Sequence, residues 1–382
     1  MTEGLLSRFL TLSVAAAALL ALPAQAASGN SLSSSLEGEF DTMFGGPKAK
    51  IETPSSVSSQ SSVTITRGQK GQSVQTVSVP VRAPVSLAAV PQSQPSYAYS
   101  SPFEASIAAL AEGSQGRIGV AALDLETGRS VAILGDQSFP MASTSKIAIV
   151  ATFLAGVDDG RYKLYDQYPL IVAVPSKKFS SAQAPVRQGT TMSALSLIEA
   201  AITRSDNQAT DALLAAVGGP QVVTRWVQSR AGINEFRIDR TIATLVRDDG
   251  AVNPATAIDK RDSVTPMGMV RLLSGIYRRE WLSRASNDVL LGAMSRTVTG
   301  KHRIRGLLPE GTQVAHKTGT LFNTASDVGF IKTPDGRDLA VAIYVTGQGS
   351  KPARDARIAA IARSLYDGYL AEAASNRRTA LR

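Results

Sequence analysis

Three short groups of residues carry side chains suited to acyl-transfer chemistry. Ser143-Thr144-Ser145-Lys146 sets a hydroxyl and an amine three positions apart. On a helix, i and i+3 share a face, so the two can meet. A helix N-terminus beside Ser143 adds positive potential and free N–H groups, which lowers the cost of an alkoxide and of the oxyanion that follows it. Lys146 acts as a base only if its pKa falls, as burial and neighbouring cations achieve. Alone, the pattern fits an N-cap serine followed by a surface lysine equally well.

Ser205-Asp206-Asn207 lies between helical segments. Its hydroxyl can relay a proton to a leaving nitrogen, and Asn207 can donate and accept toward a substrate amide. An ordinary N-cap for the helix that follows explains the same residues. Lys317-Thr318-Gly319-Thr320 falls on a strand-like run. Gly319 would let a substrate backbone approach that strand. The Thr320 N–H would complete an oxyanion hole with the Ser143 N–H, and Lys317 would add charge beside Ser205. A solvated strand end is the competing explanation.

Elements must position these groups. Residues 103–113 and 143–156 read as helices, the second buried and opening at Ser143. Residues 117–124 and 129–134 read as a hairpin around Glu126-Thr127-Gly128. Residues 191–203, 207–217, 219–230 and 264–278 read as helices. Residues 312–320, 325–332 and 338–346 read as strands, with a turn at Pro334-Asp335-Gly336, and 351–373 as a closing amphipathic helix. Strands at both ends enclose a helical middle. The expected fold is an α/β (α+β) sandwich: a five-stranded antiparallel sheet covered by helices, with an inserted all-helical subdomain.

What precedes this domain has a different character. Residues 1–26 read as a secretory signal, with Arg8, an apolar run over 9–22 and the small-x-small site Ala24-Gln25-Ala26. That run is short for a membrane span. Residues 27–102 are Ser-rich, with 18 Ser over 28–102. They lack a sustained period of 3.6 or 2 and read as a disordered linker, with a possible short strand in the alternating stretch 72–82. The catalytic candidates all fall in 103–382.

Composition narrows the chemistry. The chain has 382 residues, 40 Lys+Arg against 31 Asp+Glu, two His and no Cys. Disulfides, thiolate metal sites and a catalytic thiol are therefore excluded. Two His leave little for a histidine metal site, and no cofactor is expected. Aromatic residues at 5% argue against a nucleic-acid stacking platform. The +9 charge is spread along the chain and suits an anionic polymer or substrate.

In this order the three groups match the set found in class A β-lactamases and penicillin-binding proteins. The chain resembles the class A β-lactamase family from residue 103 to about 375. The stretch 202–227 looks like that family's central helices. Ile238-Asp239-Arg240 and Arg261-Asp262-Ser263-Val264-Thr265-Pro266 look like the two ends of its Ω loop, with Arg240 and Asp262 as the pair that pins it. The resemblance implies that Ser143 is the acylated nucleophile and Lys146 its base. It makes Ser205 the proton shuttle, and has Lys317, Thr318 and Thr320 hold a substrate carboxylate. Arg303 matches a position where some members place a carboxylate-binding guanidinium. His302 and His316 match no catalytic role and read as structural.

One departure matters. The family's Ω loop carries a glutamate that orients the deacylating water, and here that place is Ile242. The usual asparagine nearby falls at Val246. No Glu occurs between Glu235 and Glu280, and the loop is longer, with Asp248, Asp249 and Asp259 in the extra stretch. Acylation should be intact and deacylation slow, as in D,D-peptidases acting on D-alanyl-D-alanine ends of peptidoglycan stems. The alternatives are a true class A β-lactamase with a substitute base, or a non-hydrolytic protein that binds β-lactams or cell wall. The expected partner is a small-molecule β-lactam or a stem peptide, with no nucleic acid and no membrane span after signal cleavage. The expected protein is a monomer, exported to the periplasm or secreted.

Overall fold

The computed structural model describes residues 88–89 and 101–380. The expected signal 1–26, almost all of the expected linker 27–102 and the alternating stretch 72–82 lie outside the described residues.

Helix α1 (Pro102–Leu110) opens on Ser101, whose hydroxyl accepts from the Glu104 N–H, with Pro102 in the first turn. Strands β2 (Ile118–Asp124) and β3 (Ser130–Ile133) follow, after the short β1 (Ala88–Ala89). Near the other end come β9 (Val314–Leu321), β10 (Thr324–Lys332), β11 (Asp338–Thr346) and helix α9 (Lys351–Ala380). These strands form one antiparallel sheet in the order β3-β2-β11-β10-β9. The β2–β11 pairing joins the two ends of the domain, and β9 is left as an edge. Nearly every residue of β2, β10 and β11 is buried, so both faces of the sheet are covered. Phe103 of α1 packs edge-on against Tyr369 of α9, whose hydroxyl donates to the Ala122 carbonyl at 3.1 Å.

Between β3 and β9 lies the insert. Helix α2 (Lys146–Asp158) is buried along nearly its whole length, with Ile147, Ile149, Phe153 and Leu154 in the core. Full burial of such side chains stabilises by about 1.5–3 kcal/mol each. Helices α3 (Ala194–Thr203), α4 (Asn207–Ala216), α5 (Pro220–Ala231), α6 (Ile242–Arg247), α7 (Pro266–Tyr277) and α8 (Arg284–Ser295) surround it.

The insert is not all helical, which corrects the expectation. Strands β5 (Gln167–Ala173) and β6 (Val186–Ser193) form a hairpin with an irregular register near Pro169. β5 is a half-buried, continuously apolar run over 168–173 and β6 is largely exposed and polar, so neither shows the alternation of a one-sided strand. Residues 191–193 close this hairpin rather than opening α3, whose N-cap is Ser193. Helices α6 and α8 were also not foreseen. In α8 the polar Ser286 and Asn287 occupy buried positions, which hides the period; the Asn287 amide donates to the Ile276 carbonyl at 2.6 Å. Two-residue strands β4 (Phe139–Pro140) and β8 (Ser263–Val264) pair, as do β1 and β7 (Ala257–Ile258).

Candidate active site

Ser143 sits in a 3-10 turn, Ala142–Ser145, that leads directly into α2. Ala142, just before it, is held at φ +48, a conformation that costs on the order of 1–3 kcal/mol. The turn is over-determined. The Thr144 hydroxyl donates to the Met141 carbonyl and the Ser145 hydroxyl to the Ala142 carbonyl, each at 2.8 Å. Of the turn's three hydroxyl residues, Thr144 and Ser145 are buried and Ser143 is half-buried.

Lys146, one helical turn on, is fully buried. Its Nζ donates to the Ser205 carbonyl at 2.5 Å, the Ser205 hydroxyl at 3.2 Å and Asn207 Oδ1 at 2.7 Å. The amine is thus held by the Ser205–Asn207 segment. Burial pushes its pKa down to about 7, against the opposing pull of Asp206 and Asp211. Lys317, on β9, is also fully buried and donates to the Ser205 hydroxyl and the Thr318 carbonyl, both at 2.9 Å. Burial and then the Lys146 charge hold it well below the ordinary lysine range. Ser205 stands between the two amines with φ +61, a left-handed conformation uncommon for a residue with a Cβ. The Asp206 carboxylate accepts from the Ala209 N–H at 2.8 Å and caps α4, so the N-cap and the site belong to one segment.

The remaining residues of the β9 group make close contacts with protein. A Cβ on Gly319 would lie 2.6 Å from the Met141 carbonyl oxygen and 2.4 Å from Ser326 Oγ. Gly319 therefore lets β9 close onto the turn that carries Ser143; the close approach is to protein. The Thr318 hydroxyl is paired with that of Thr299 at 2.7 Å. Thr320 accepts from Arg303 Nη2 at 2.7 Å.

Arg303 is 3% exposed. It donates to Asp355 at 2.7 Å, to the Gly319 and Ser326 carbonyls at 2.9 and 3.0 Å, and to Thr320. Four of its five N–H groups are spent on protein, so the free fork expected for a substrate carboxylate is not what the fold presents. It buttresses β9 from behind, and only one N–H at Nη2 remains beside Thr320. His316 is buried against Asp327, with Nδ1 at 2.8 Å from Oδ1, while His302 is exposed.

Arg240 and Asp262 do meet, Nε to Oδ2, at 2.5 Å. Asp262 Oδ1 also accepts the N–H groups of Asp239 and Arg240 at 2.9 and 3.1 Å. Burial still pushes its carboxyl pKa up, outweighing the ion pair. The Asp262 carbonyl accepts from the Met141 N–H at 3.0 Å, which ties the loop's far end to the Ser143 turn.

Between these anchors, Thr241 caps α6 and Ile242 is buried. The loop aspartates are committed elsewhere. Asp248 pairs with Arg247 and accepts the Phe179 N–H at 2.8 Å. Asp249 accepts the Phe322 N–H at 2.8 and 3.0 Å, and Asp259 pairs with Arg261 at 2.7 Å. All three line a cavity of about 50 Å³ whose lining does not include Ser143, Lys146, Ser205 or Lys317.

Sequence reasoning missed Asp211. This carboxylate is 4% exposed, and its two oxygens accept the N–H groups of Ile242 and Ala243 at 2.7 and 2.8 Å. Its signal was an acidic residue four positions after Asn207 on an otherwise apolar helix face. Among the described residues no group of three His, Cys, Asp or Glu could hold a metal ion. None of their helices is long and apolar enough to cross a membrane.

Comparison with known proteins matches residues 102–369 to the model of a family described as the beta-lactamase enzyme family. The chain is 31% identical over 266 residues to the extended-spectrum beta-lactamase PER-1 of Pseudomonas aeruginosa, covering 66% of this chain and 83% of that one. It is 31% identical over 280 residues to beta-lactamase CTX-M-8 of Citrobacter amalonaticus, covering 72% and 92%. Its fold is similar to that of a solved variant of the last common ancestor of Gram-negative bacteria class A beta-lactamase. The TM-score there is 0.60 and the identity 33%, with 71% of this chain and 100% of that one covered.

Proposed function

We propose that this chain, which belongs to the class A β-lactamase family and is a serine hydrolase of that type, is acylated readily and deacylated slowly, in the manner of a D,D-peptidase. Ser143 Oγ attacks the carbonyl carbon of a β-lactam or of a D-alanyl-D-alanine-type amide. Its proton passes to Lys146 Nζ, which is neutral in part near neutral pH because burial brings its pKa to about 7. The oxyanion is taken by the N–H groups of Ser143 and Thr320. As the C–N bond breaks, the proton moves through Ser205 Oγ to the leaving nitrogen, with Lys317 supplying charge beside that hydroxyl. Lys317, Thr318 and Thr320 face the substrate carboxylate; Asn207 orients the amide while its Oδ1 holds Lys146.

The observation that carries the slow step is the use of the loop's acids. Release of the acyl group requires an activated water. The position that aligns with the family's glutamate is a buried isoleucine, Ile242. Asp248, Asp249 and Asp259 are held by arginines and main-chain N–H groups away from Lys146 and Ser205. Loss of general-base assistance costs about 10²–10⁴-fold in rate. A departing D-alanine vacates space for water or an acceptor amine, whereas an opened β-lactam stays tethered. Such an enzyme works outside the cytoplasm as a monomer, delivered by the 1–26 signal and spaced by the 27–102 linker, on a substrate within anionic cell wall.

Intact-mass spectrometry of the chain with a penicillin, followed over time, tests this. The expected adduct forms within seconds to minutes and persists for many minutes to hours. No adduct in Ser143→Ala is expected too. Turnover of a chromogenic cephalosporin at hundreds per second would overturn the slow release, and labelling of Ser143→Ala would overturn the nucleophile.

A further inference from the structure

We propose that this chain's own linker docks on the loop: Ala88–Ala89 is the strand that closes the edge at Ala257–Ile258 and holds that stretch in place. This goes beyond the acyl-transfer reading and does not depend on it. Strand β1 runs antiparallel to β7, with Ala88 opposite Ile258 and Ala89 opposite Ala257. Among the described residues, β1 is the strand that pairs with β7. The family match covers residues 102–369, so Ala88–Ala89 lies before it. Ala257–Ile258 lies in the loop between Asp249 and Asp259. The pairing therefore joins a segment outside the matched domain to the loop inside it.

The alternation of an antiparallel ladder says which groups meet. The Ala257 N–H is taken by the Asn253 carbonyl at 3.0 Å, within the loop's own turn. Ile258, one residue on, therefore turns its N–H and C=O toward Ala88. The loop is fixed on both sides of this point. Asn253 Oδ1 accepts from the Asn323 amide at 2.9 Å, and beyond Ile258 the Asp262 carbonyl accepts from the Met141 N–H at 3.0 Å. Strand β7 lies half-buried between these anchors, and Ala257 lines the cavity of about 50 Å³ beside Pro140, Arg240 and Asp262.

Composition and length fit the linker as the occupant of this edge. Residues 85–90 (VSLAAV) are an uncharged run between Pro84 and Pro91, and residues 250–258 of the loop (GAVNPATAI) carry no charge either. Two such runs associate through main-chain bonds and not through ion pairs. Residues 90–100 alone join Ala89 to Ser101, where α1 opens. A tether this short keeps the linker at its own loop at an effective concentration on the order of millimolar. The linker of a second copy reaches that only in concentrated solution.

The chain has no cysteine of its own, so introduced cysteine pairs report the register in the full chain. Facing residues of an antiparallel pair have Cα atoms about 4.5–5.5 Å apart, within the span that a disulfide bridges. Ala89→Cys with Ala257→Cys is expected to oxidise to an intramolecular disulfide at least tenfold faster than Ala88→Cys with Ala257→Cys, which is one step out of register. Equal rates would overturn the docking. Disulfide-linked dimers as the main product, read by intact mass in dilute solution, would give the edge to a second copy and overturn it too. Amide hydrogen exchange supplies an independent arm. Ala88→Pro with Ala89→Pro removes both N–H groups of β1. Exchange at Ile258 is then expected to speed at least tenfold, while the Ala257 amide, held by Asn253, changes less. Unchanged exchange at Ile258 would sink the proposal. In the wild-type chain the protection of Ile258 should persist from low to molar salt, since neither run is charged; its loss at high salt would show an ionic contact in place of the main-chain pairing.

Discussion

Lys317 Nζ donates to Ser205 Oγ at 2.9 Å, a bond between residues 112 positions apart. Lys146 Nζ reaches the same oxygen from α2 at 3.2 Å. One hydroxyl thus stands between two fully buried amines; burial lowers the proton affinity of both, and the Lys146 charge lowers that of Lys317 further. Both amines donate to that oxygen, which leaves the Ser205 proton free to point away from them.

Removing that hydroxyl should cost rate rather than fold. Ser205→Ala is expected to slow acylation about 10²–10⁴-fold, with unfolding temperature little changed. The measurement is the pseudo-first-order rate of adduct formation. A rate within a factor of three of wild type would remove Ser205 from the proton path.

The buried base has a stability signature. Folded Lys146 releases its proton near pH 7, whereas its ordinary value is 10.5. Between those values the unfolded chain binds more protons, so unfolding free energy rises with pH. The slope is up to about 1.4 kcal/mol per pH unit for a fully shifted group. Lys317 adds in the same direction. Urea unfolding at pH 7 and pH 8.5 should show the rise, and Lys146→Met should flatten it.

Ile242→Glu should speed release of the acyl group tenfold or more, seen as loss of the penicillin adduct over minutes instead of hours. The position is 3% exposed, so the buried carboxylate should also lower stability by a few kcal/mol. An unchanged adduct lifetime in a folded variant would count against Ile242 as the place where a water activator belongs.

Arg240→Ala leaves the Asp262 carboxylate buried without its cation. A loss of about 3–5 kcal/mol is expected for breaking such a pair, toward the lower end because Oδ1 keeps two N–H bonds. Thermal unfolding reads the loss, and limited proteolysis should find new cuts between residues 241 and 261. A variant as resistant as wild type would show that the pair does not pin the loop.

Gly319→Ala drives a methyl into the Met141 carbonyl and Ser326 Oγ. Such overpacking costs about 1–3 kcal/mol. It also separates β9 from the Ser143 turn, so acylation should slow alongside the fall in unfolding temperature. Full activity in a destabilised variant would confine the glycine to packing.

Much of this protein was legible in the order of its residues. Lys146, Ser205 and Lys317 are singled out by type and local setting, and the fold joins them through the Ser205 hydroxyl; Arg240 and Asp262 are marked by the two ends of a loop, and they pair. The helices and strands with clear periods were legible for the same reason: a buried stripe leaves a spacing. The hairpin 167–193 and helix α8 left none, since the hairpin pairs a continuously apolar strand with an exposed polar one and the helix buries polar residues.

Only the tertiary structure decided which partners these side chains have. Arg303 looked like an open fork and is instead spent behind β9, because its neighbours Asp355, Gly319 and Ser326 come from distant segments. Gly319 looked like room for substrate and is room for the Met141 carbonyl. Asp211 carried no motif at all, yet its two oxygens seat the loop. Residue type and local spacing determine what chemistry a side chain can do. Burial, charge and the direction of each hydrogen bond arise from contacts between segments far apart in the chain, and those decide what it does.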